Sequence, residues 1–390
     1  MDLSAISLSD YAREQLRNMH RAVGLADAPS ELIDPIGDLL GPGGAHLLSE
    51  PPLWSSELSD DKTPIEFSVA FEGEQTPTVR LCVEPLAKSP SHAANVQISK
   101  EILQFYSERF SFSLDQFDQV SELFLDPGLP GRFSVWVSVV LKRNDSPTFK
   151  VYFTPDQQAL PAAPELIEQA LVRLGFTEAF APLRRHVMRP EPGLDQFTFF
   201  SLDLGERMRS RVKVYASHYN ADTTDIERAA RLARGVEPGR LRDFCYLVGG
   251  GPGPFAARPL ISSYAFVEGD TDRPSGYTLH LPIRDYVTDD QQSRARVNAL
   301  LSQHGFPTAP FERALGVMAR RPLEGGVGMI PYASLRLGLV RPGVTIYLAS
   351  ELYDSVRPRS WHALAENFSA PGTVVPTGRT SEDLSLNSVT

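Results

Sequence analysis

Cysteine is nearly missing from this chain: 390 residues hold two, Cys82 and Cys245. Two thiols make no disulfide framework, so a bridge-stapled secreted scaffold is excluded and a reducing, cytoplasmic setting is expected. No apolar run approaches the roughly 18 residues of a membrane-spanning helix, so no membrane partner is expected. The N-terminal MDLSAISLSDYAREQ has neither a basic start nor an apolar stretch, and it does not read as a signal peptide. No block of five like charges occurs, and 38 basic residues against 48 acidic ones give a net charge of −10. An acidic chain without a basic cluster is a poor partner for nucleic acid.

Several common chemical signatures are missing too. Asp60–Asp61 and Asp289–Asp290 are acidic pairs, but neither continues into the DDxxD pattern that holds Mg²⁺. No HExxH, CxxC or paired His/Cys spacing is present, so no metal site is expected. The glycines at 249–251 lack the Lys-Ser/Thr of a phosphate loop and read as a turn, and there is no GxSxG elbow.

What is there reads as a globular chain, with 42% hydrophobic and 22% charged residues. Residues 1–369 are expected to form one domain. Residues 370–390, rich in Ser, Thr, Pro and Gly, read as a disordered tail. Five paired strand candidates occupy the middle: 65–71 with 77–83, 132–142 with 148–154, 197–204 with 211–217, 260–267 with 277–283, and 329–339 with 343–350. Each pair is joined by a short polar or Gly/Pro-bearing segment, as a hairpin requires. Helical segments fill the gaps at 11–23, 99–125, 164–173, 224–234, 290–304 and 310–319. The second strands align on Arg80, Lys150, Lys213, Thr278 and Thr345, about 63 to 70 residues apart, which indicates a repeated unit of helices plus one hairpin. The expected class is α+β: ten antiparallel strands closed into a barrel with a polar lumen, surrounded by helices.

Side chains on a strand alternate between its faces. Arg211, Lys213 and Tyr215 share one face while Val212 and Val214 share the other; Lys150 and Tyr152 oppose Val151 and Phe153; Thr345 and Tyr347 oppose Val344, Ile346 and Leu348; Thr278 and His280 oppose Leu279 and Leu281. Glu66 and Ser68 oppose Phe67 and Val69. The apolar faces need helices as cover. The polar faces then meet either bulk water, on an open sheet, or a lumen. The recurrence of cation-x-Tyr at equivalent places favours the lumen.

In a closed barrel Arg80, Lys150, Arg211 and Lys213 converge, which suits an anion rich in oxygens such as diphosphate. Tyr152, Tyr215 and Tyr347 would surround the same region, and aromatic faces stabilise a cation by roughly 0.5–2 kcal/mol each. A departing diphosphate that leaves an allyl cation needs both groups together. Glu66 reads either as acceptor for a donor such as an indole N–H or as salt-bridge partner of an inward cation. Trp136, alternating with Ser134 and Ser138, lines the lumen or fills the core.

TPIEFSVAF with Glu66, TVRLCVEP with Arg80, FKVYFTP with Lys150 and Tyr152, RVKVYASH with Arg211, Lys213 and Tyr215, and VTIYLASELY with Tyr347 together resemble the indole prenyltransferases of the dimethylallyltryptophan synthase family, bacterial type. The likeness spans about residues 60–355. It implies the ABBA-type barrel and a metal-independent reaction of secondary metabolism. In that reaction a dimethylallyl or geranyl group passes from its diphosphate to the indole ring of tryptophan or a tryptophan-derived small molecule. By resemblance Glu66 is the catalytic residue that binds the indole N–H and raises ring nucleophilicity. Arg80, Lys150, Arg211 and Lys213 hold diphosphate, and Tyr152, Tyr215 and Tyr347 shield the cation. No cofactor is required beyond the prenyl diphosphate co-substrate. The chain departs from fungal relatives at Thr278 and His280, where they tend to carry Gln and Tyr, and at Thr345, where they carry Lys. Smaller residues there leave room for a chain longer than C5, and His280 reads as a lumen hydrogen-bonder or as a base. Two other readings fit the same cationic lumen: a barrel that sequesters an anionic amphiphile without turnover, and prenylation of a phenol.

Overall fold

The structure, a computed structural model, describes residues 5–353 apart from 26–29, 74–75, 127–130, 143–145, 156–162, 206–210 and 340–341. The tail expected from residue 370 lies outside the described residues.

Ten strands close into a barrel, each hydrogen-bonded to its sequence neighbours: β1 (Ile65–Glu72), β2 (Thr78–Val83), β3 (Trp136–Leu141), β4 (Thr148–Phe153), β5 (Asp195–Leu204), β6 (Val212–His218), β7 (Leu260–Phe266), β8 (Gly276–Leu281), β9 (Ala333–Gly338) and β10 (Gly343–Ala349). All pairs are antiparallel, and β10 returns to β1 with Ser68 opposite Tyr347. Closure leaves no unpaired edge, so every hairpin finds a partner on both sides.

The apolar side chains of each strand face outward and are covered. Phe67, Val69, Leu81, Val139, Phe149, Val151, Phe153, Phe200, Val212, Val214, Leu279, Ile346 and Leu348 are all fully buried. Helices supply the cover: α1 (Leu8–Ala22), α2 (Ser30–Gly37), α3 (His92–Phe110), α4 (Asp115–Phe124), α5 (Ala163–Arg173), α6 (Phe180–Val187), α7 (Thr223–Ala230), α8 (Arg240–Phe244), α9 (Asp290–Gln303) and α10 (Ala309–Met318). Phe124 of α4 stacks on Phe153 and Phe200 at 5.0 and 5.3 Å, and Tyr106 of α3 packs 5.7 Å from Phe149. Burial of such rings drives the layer, at roughly 25 cal/mol per Å² of apolar surface.

The helix starts carry their own signals. Ser7, Ser91 and Asp289 accept the backbone N–H groups of Asp10, Ala94 and Gln292, and Asp222 and Asp225 form a capping box on α7. The single helix expected over 99–125 is two. Ser111 adopts a left-handed conformation (φ 54°) that ends α3 at Phe110, and α4 starts at Asp115. Helices α2, α6 and α8 were not expected; each is eight residues or shorter, too brief to display a helical period. The acidic pairs set aside above serve the scaffold in part. Asp290 accepts the backbone N–H groups of Gly328, Met329 and Ile330, and Asp61 that of Leu352. Among the described residues, no helix is long and apolar enough to cross a membrane.

Candidate active site

Lumen residues come from alternate positions of every strand, because the outward set is fixed by the helices. One cavity is lined by Arg80 of β2, Lys150 and Tyr152 of β4, Arg211 beside β6, Lys213 and Tyr215 of β6, Thr278 and His280 of β8, and Thr345 and Tyr347 of β10. The lumen placement expected for these ten side chains therefore holds.

Three charged residues of the lumen escaped the sequence reading. Glu72, the last residue of β1, accepts from Arg80 at 3.1 Å and from Arg336 of β9 at 2.8 Å. Asp203 of β5 lies 2.7 Å from Arg211 and 3.4 Å from Lys150. Four of the five cations thus share two carboxylates, and among the described residues the fifth, Lys213, has no salt bridge. Burial works to raise the Asp203 acid, but Lys150, Arg211 and Lys213 hold it down to about 2. The cations answer in the opposite direction. Burial brings Lys150 down to about 8 against the pull of Asp203, and burial with Arg211 and Lys150 pushes Lys213 well below its ordinary range. Arg80 Nε, Arg211 Nε and His280 Nε2 are buried with no hydrogen-bond partner among the described residues. Buried nitrogens left unbonded in a wall with excess positive charge mark a place for an anion with many acceptors.

Aromatic rings form the next layer. Tyr152 and Tyr215 lie 6.1 Å apart, and Phe199 meets Tyr215 edge-on at 5.9 Å. Trp136 stands opposite Tyr152 in the β3–β4 register, which puts it on the lumen face. It stacks on Phe133 at 3.9 Å and lies 5.6 Å from Phe199. The Tyr347 hydroxyl is 3.3 Å from His280 Nδ1. Burial, then Lys213 and Arg80, push the His280 imidazolium down to about 3, so the ring is neutral and hydrogen-bonds rather than carrying charge.

Glu66 lies on the lumen face of β1, opposite Cys82 of β2, two positions from Ser68 and away from the cation wall. No cation pairs with it among the described residues, so the salt-bridge alternative is not what the structure shows. Burial, with Asp60 adding, raises its acid to about 8. No group of three or more His, Cys, Asp or Glu suited to a metal ion occurs among the described residues.

A closed ten-stranded barrel with this cation wall and aromatic layer defines the class of barrel prenyltransferases. The tryptophan dimethylallyltransferase family model matches residues 34–310, and the chain belongs to that family. It is similar to a 6-dimethylallyltryptophan synthase from Micromonospora olivasterospora, solved in complex with DMASPP and Trp. That likeness has 41% identity and a TM-score of 0.85 over 90% of this chain and 100% of that one. A 5-dimethylallyltryptophan synthase from Streptomyces coelicolor is 32% identical, with a TM-score of 0.82 over 90% of this chain and 99% of that one. The prenyltransferase phqJ of Penicillium fellutanum is 24% identical over 205 residues, 47% of this chain and half the length of that relative.

Proposed function

We propose that the chain transfers a dimethylallyl group from dimethylallyl diphosphate to the indole ring of tryptophan, without a metal ion. The observation that carries this reading is the surplus of cations over carboxylates on one wall of the lumen, faced by tyrosine rings. The family membership and the two tryptophan synthases of similar structure support it.

Arg80, Lys150, Arg211 and Lys213, with Arg336 beside them, take the diphosphate. The allylic C–O bond breaks, and its electron pair leaves on diphosphate oxygen, whose growing charge the wall stabilises as Mg²⁺ does elsewhere. Tyr152, Tyr215 and Tyr347 turn ring faces towards the allyl cation and keep water from it. A ring carbon of the indole attacks, and the new C–C bond leaves the ring positively charged. Glu66 accepts the indole N–H, a bond that strengthens as the ring charge grows. The ring carbon then releases its proton to a diphosphate oxygen, a stronger base than neutral His280, and aromaticity returns.

Incubation with dimethylallyl diphosphate, tryptophan and EDTA should give a product heavier by one dimethylallyl group. Turnover that vanishes in EDTA and returns only with Mg²⁺ would refute metal independence. Glu66→Gln keeps shape and removes a carboxyl that burial and Asp60 raise to about 8, so the comparison is made at pH 9, where the wild-type group carries its charge. A charge-assisted hydrogen bond is worth about 1.5–3 kcal/mol, so kcat/KM for the indole should fall roughly ten- to a hundred-fold with diphosphate affinity kept. Wild-type turnover in that variant removes Glu66 from the mechanism. Geranyl diphosphate in parallel tests the room left by Thr278 and Thr345.

A further inference from the structure

Among the described residues, Lys213 alone of the five lumen cations has neither an ion pair nor a hydrogen bond. It is half-buried and lines the same cavity as Arg80, Lys150, Arg211 and Arg336. Its neighbours across the strands carry no charge: Ser201 stands opposite on β5 and Ala265 on β7. The two carboxylates of the wall are already engaged, Glu72 by Arg80 and Arg336, and Asp203 by Arg211 at 2.7 Å and Lys150 at 3.4 Å. His280 across the lumen is neutral and offers no counter-charge.

The two lysines of the wall therefore differ. Lys150 keeps a carboxylate partner. Burial, then Arg211 and Lys150, push the Lys213 ammonium well below its ordinary range, which favours the free amine. A neutral lysine among other cations is a nucleophile. The wall around it still lacks negative charge, with five cations against two carboxylates; a Lys213 that carried a negative group would leave four against three. The open space there is about 40 Å³. At roughly 10–15 Å³ for each water-sized group, that has room for a carboxylate group.

We infer that Lys213 is a carbamylation site: without prenyl diphosphate its amine takes up carbon dioxide, and the carbamate fills the anion site of the wall. The amine lone pair attacks the carbon of carbon dioxide, and one C=O electron pair moves onto oxygen. The nitrogen gives up a proton to bicarbonate in solution, and nothing is oxidised or reduced. The carbamate oxygens then accept from Arg80, Lys150 and Arg211 in place of diphosphate oxygens. Arriving diphosphate competes for the same donors. The carbamate takes back one proton and releases carbon dioxide, and the amine takes a second proton to become the cation that holds diphosphate. Dissolved carbon dioxide thus acts as a reversible block on the donor site. The inference rests on the diphosphate reading of the wall and is independent of the acceptor.

Wild-type protein at about pH 8.5 is equilibrated with ¹³C-labelled bicarbonate and carbon dioxide, treated with triethyloxonium to fix any carbamate as its ethyl ester, and digested for mass spectrometry. The labelled ester should sit on Lys213 and not on Lys150, and saturating dimethylallyl diphosphate added before the trap should lower it at least tenfold. In calorimetry at matched ionic strength, diphosphate affinity should fall threefold or more on passing from buffer free of carbon dioxide to bicarbonate buffer. Lys213→Arg, whose guanidinium stays charged and forms no carbamate, should show no such fall. Absence of label at Lys213 overturns the inference whether or not Lys213→Arg folds, because the trap uses the wild type. Label that diphosphate leaves in place overturns it as well. An equal bicarbonate effect in both proteins means a free ion competing for the wall, and that too overturns it. Label at Lys213 in a protein that binds no diphosphate would keep the carbamate and sink the diphosphate reading instead.

Discussion

Asp195 and Asp203 stand on the same strand, and both are held to about 2, yet they do opposite work. Asp195 faces outward. It accepts from Arg189 Nε at 3.1 Å and lies 2.6 Å from His218 Nδ1; His218 Nε2 is 2.9 Å from Ser262 Oγ, which meets the Tyr277 hydroxyl at 2.7 Å. The Ser–His–Asp order looks like a nucleophile relay, but Ser262 is fully buried beneath the helices with no path for a substrate. Every charge in that network has its counter-charge. Asp203 faces the lumen, where the cations outnumber the carboxylates. The outer network is complete without a ligand, and the inner one is complete only with an anion.

The largest expected effect lies outside. Asp195→Ala strips buried His218 of its carboxylate and leaves Arg189 with Asp225 as its one remaining carboxylate, which should cost about 3–5 kcal/mol of stability. Melting with and without diphosphate checks it: the midpoint should drop sharply while the diphosphate-induced shift keeps its wild-type size. Because the folded acid is depressed below its unfolded value near 4, its contribution is present above that pH and is lost as pH falls towards 2. A variant that melts normally but binds diphosphate poorly breaks the comparison.

Inside, Lys213→Ala removes a cation that has no salt bridge of its own among the described residues. Diphosphate affinity, read by calorimetry, should fall roughly ten- to a hundred-fold, the value of one charge-assisted contact, with little loss of melting temperature. Unchanged affinity would show that Lys213 does not touch the anion. Asp203→Asn should have a smaller and more telling effect. It frees Lys150 and Arg211 from their internal partner, so the apo protein loses stability and the midpoint rise on adding diphosphate becomes larger than in wild type. A smaller rise would mean that Asp203 aims the cations rather than competing for them.

The same strand shows where sequence reasoning stopped. Alternation placed the ten strands and the cation wall correctly because the outward residues are almost all Val, Leu, Ile and Phe. It cannot place both aspartates of β5. Between Phe197 and Phe199 the pairing slips, so Asp195 and Phe197 face out while Phe199, Ser201 and Asp203 face in. Strict alternation gives all five one face. Glu72 was missed because it follows the last apolar residue of β1, and Arg336 because β9 shares no cation-x-Tyr pattern.

The smallest effect sharpens the contrast through pH. At pH 7 to 9 the outer network does not respond through Asp195, ionised far below that range. The inner wall does, because burial leaves Lys150 near 8 and pushes Lys213 down as well. Diphosphate favours the charged lysines and raises both values, so binding above pH 8 must take up protons. The ligand titrated is dimethylallyl diphosphate, an ester whose last ionisation, near pH 6, is already complete there. Affinity should therefore weaken as pH rises from 8, by at most about tenfold per unit for each proton taken up. Calorimetry at pH 8.5 in two buffers of different ionisation enthalpy reads the uptake directly. Wild type should take up a measurable fraction of a proton, Lys150→Ala less, and Asp195→Asn the same as wild type. Affinity that stays flat from pH 7 to 9, with no uptake, would show that the lysines remain charged without their anion, and the wall would then be no less complete than the network outside it.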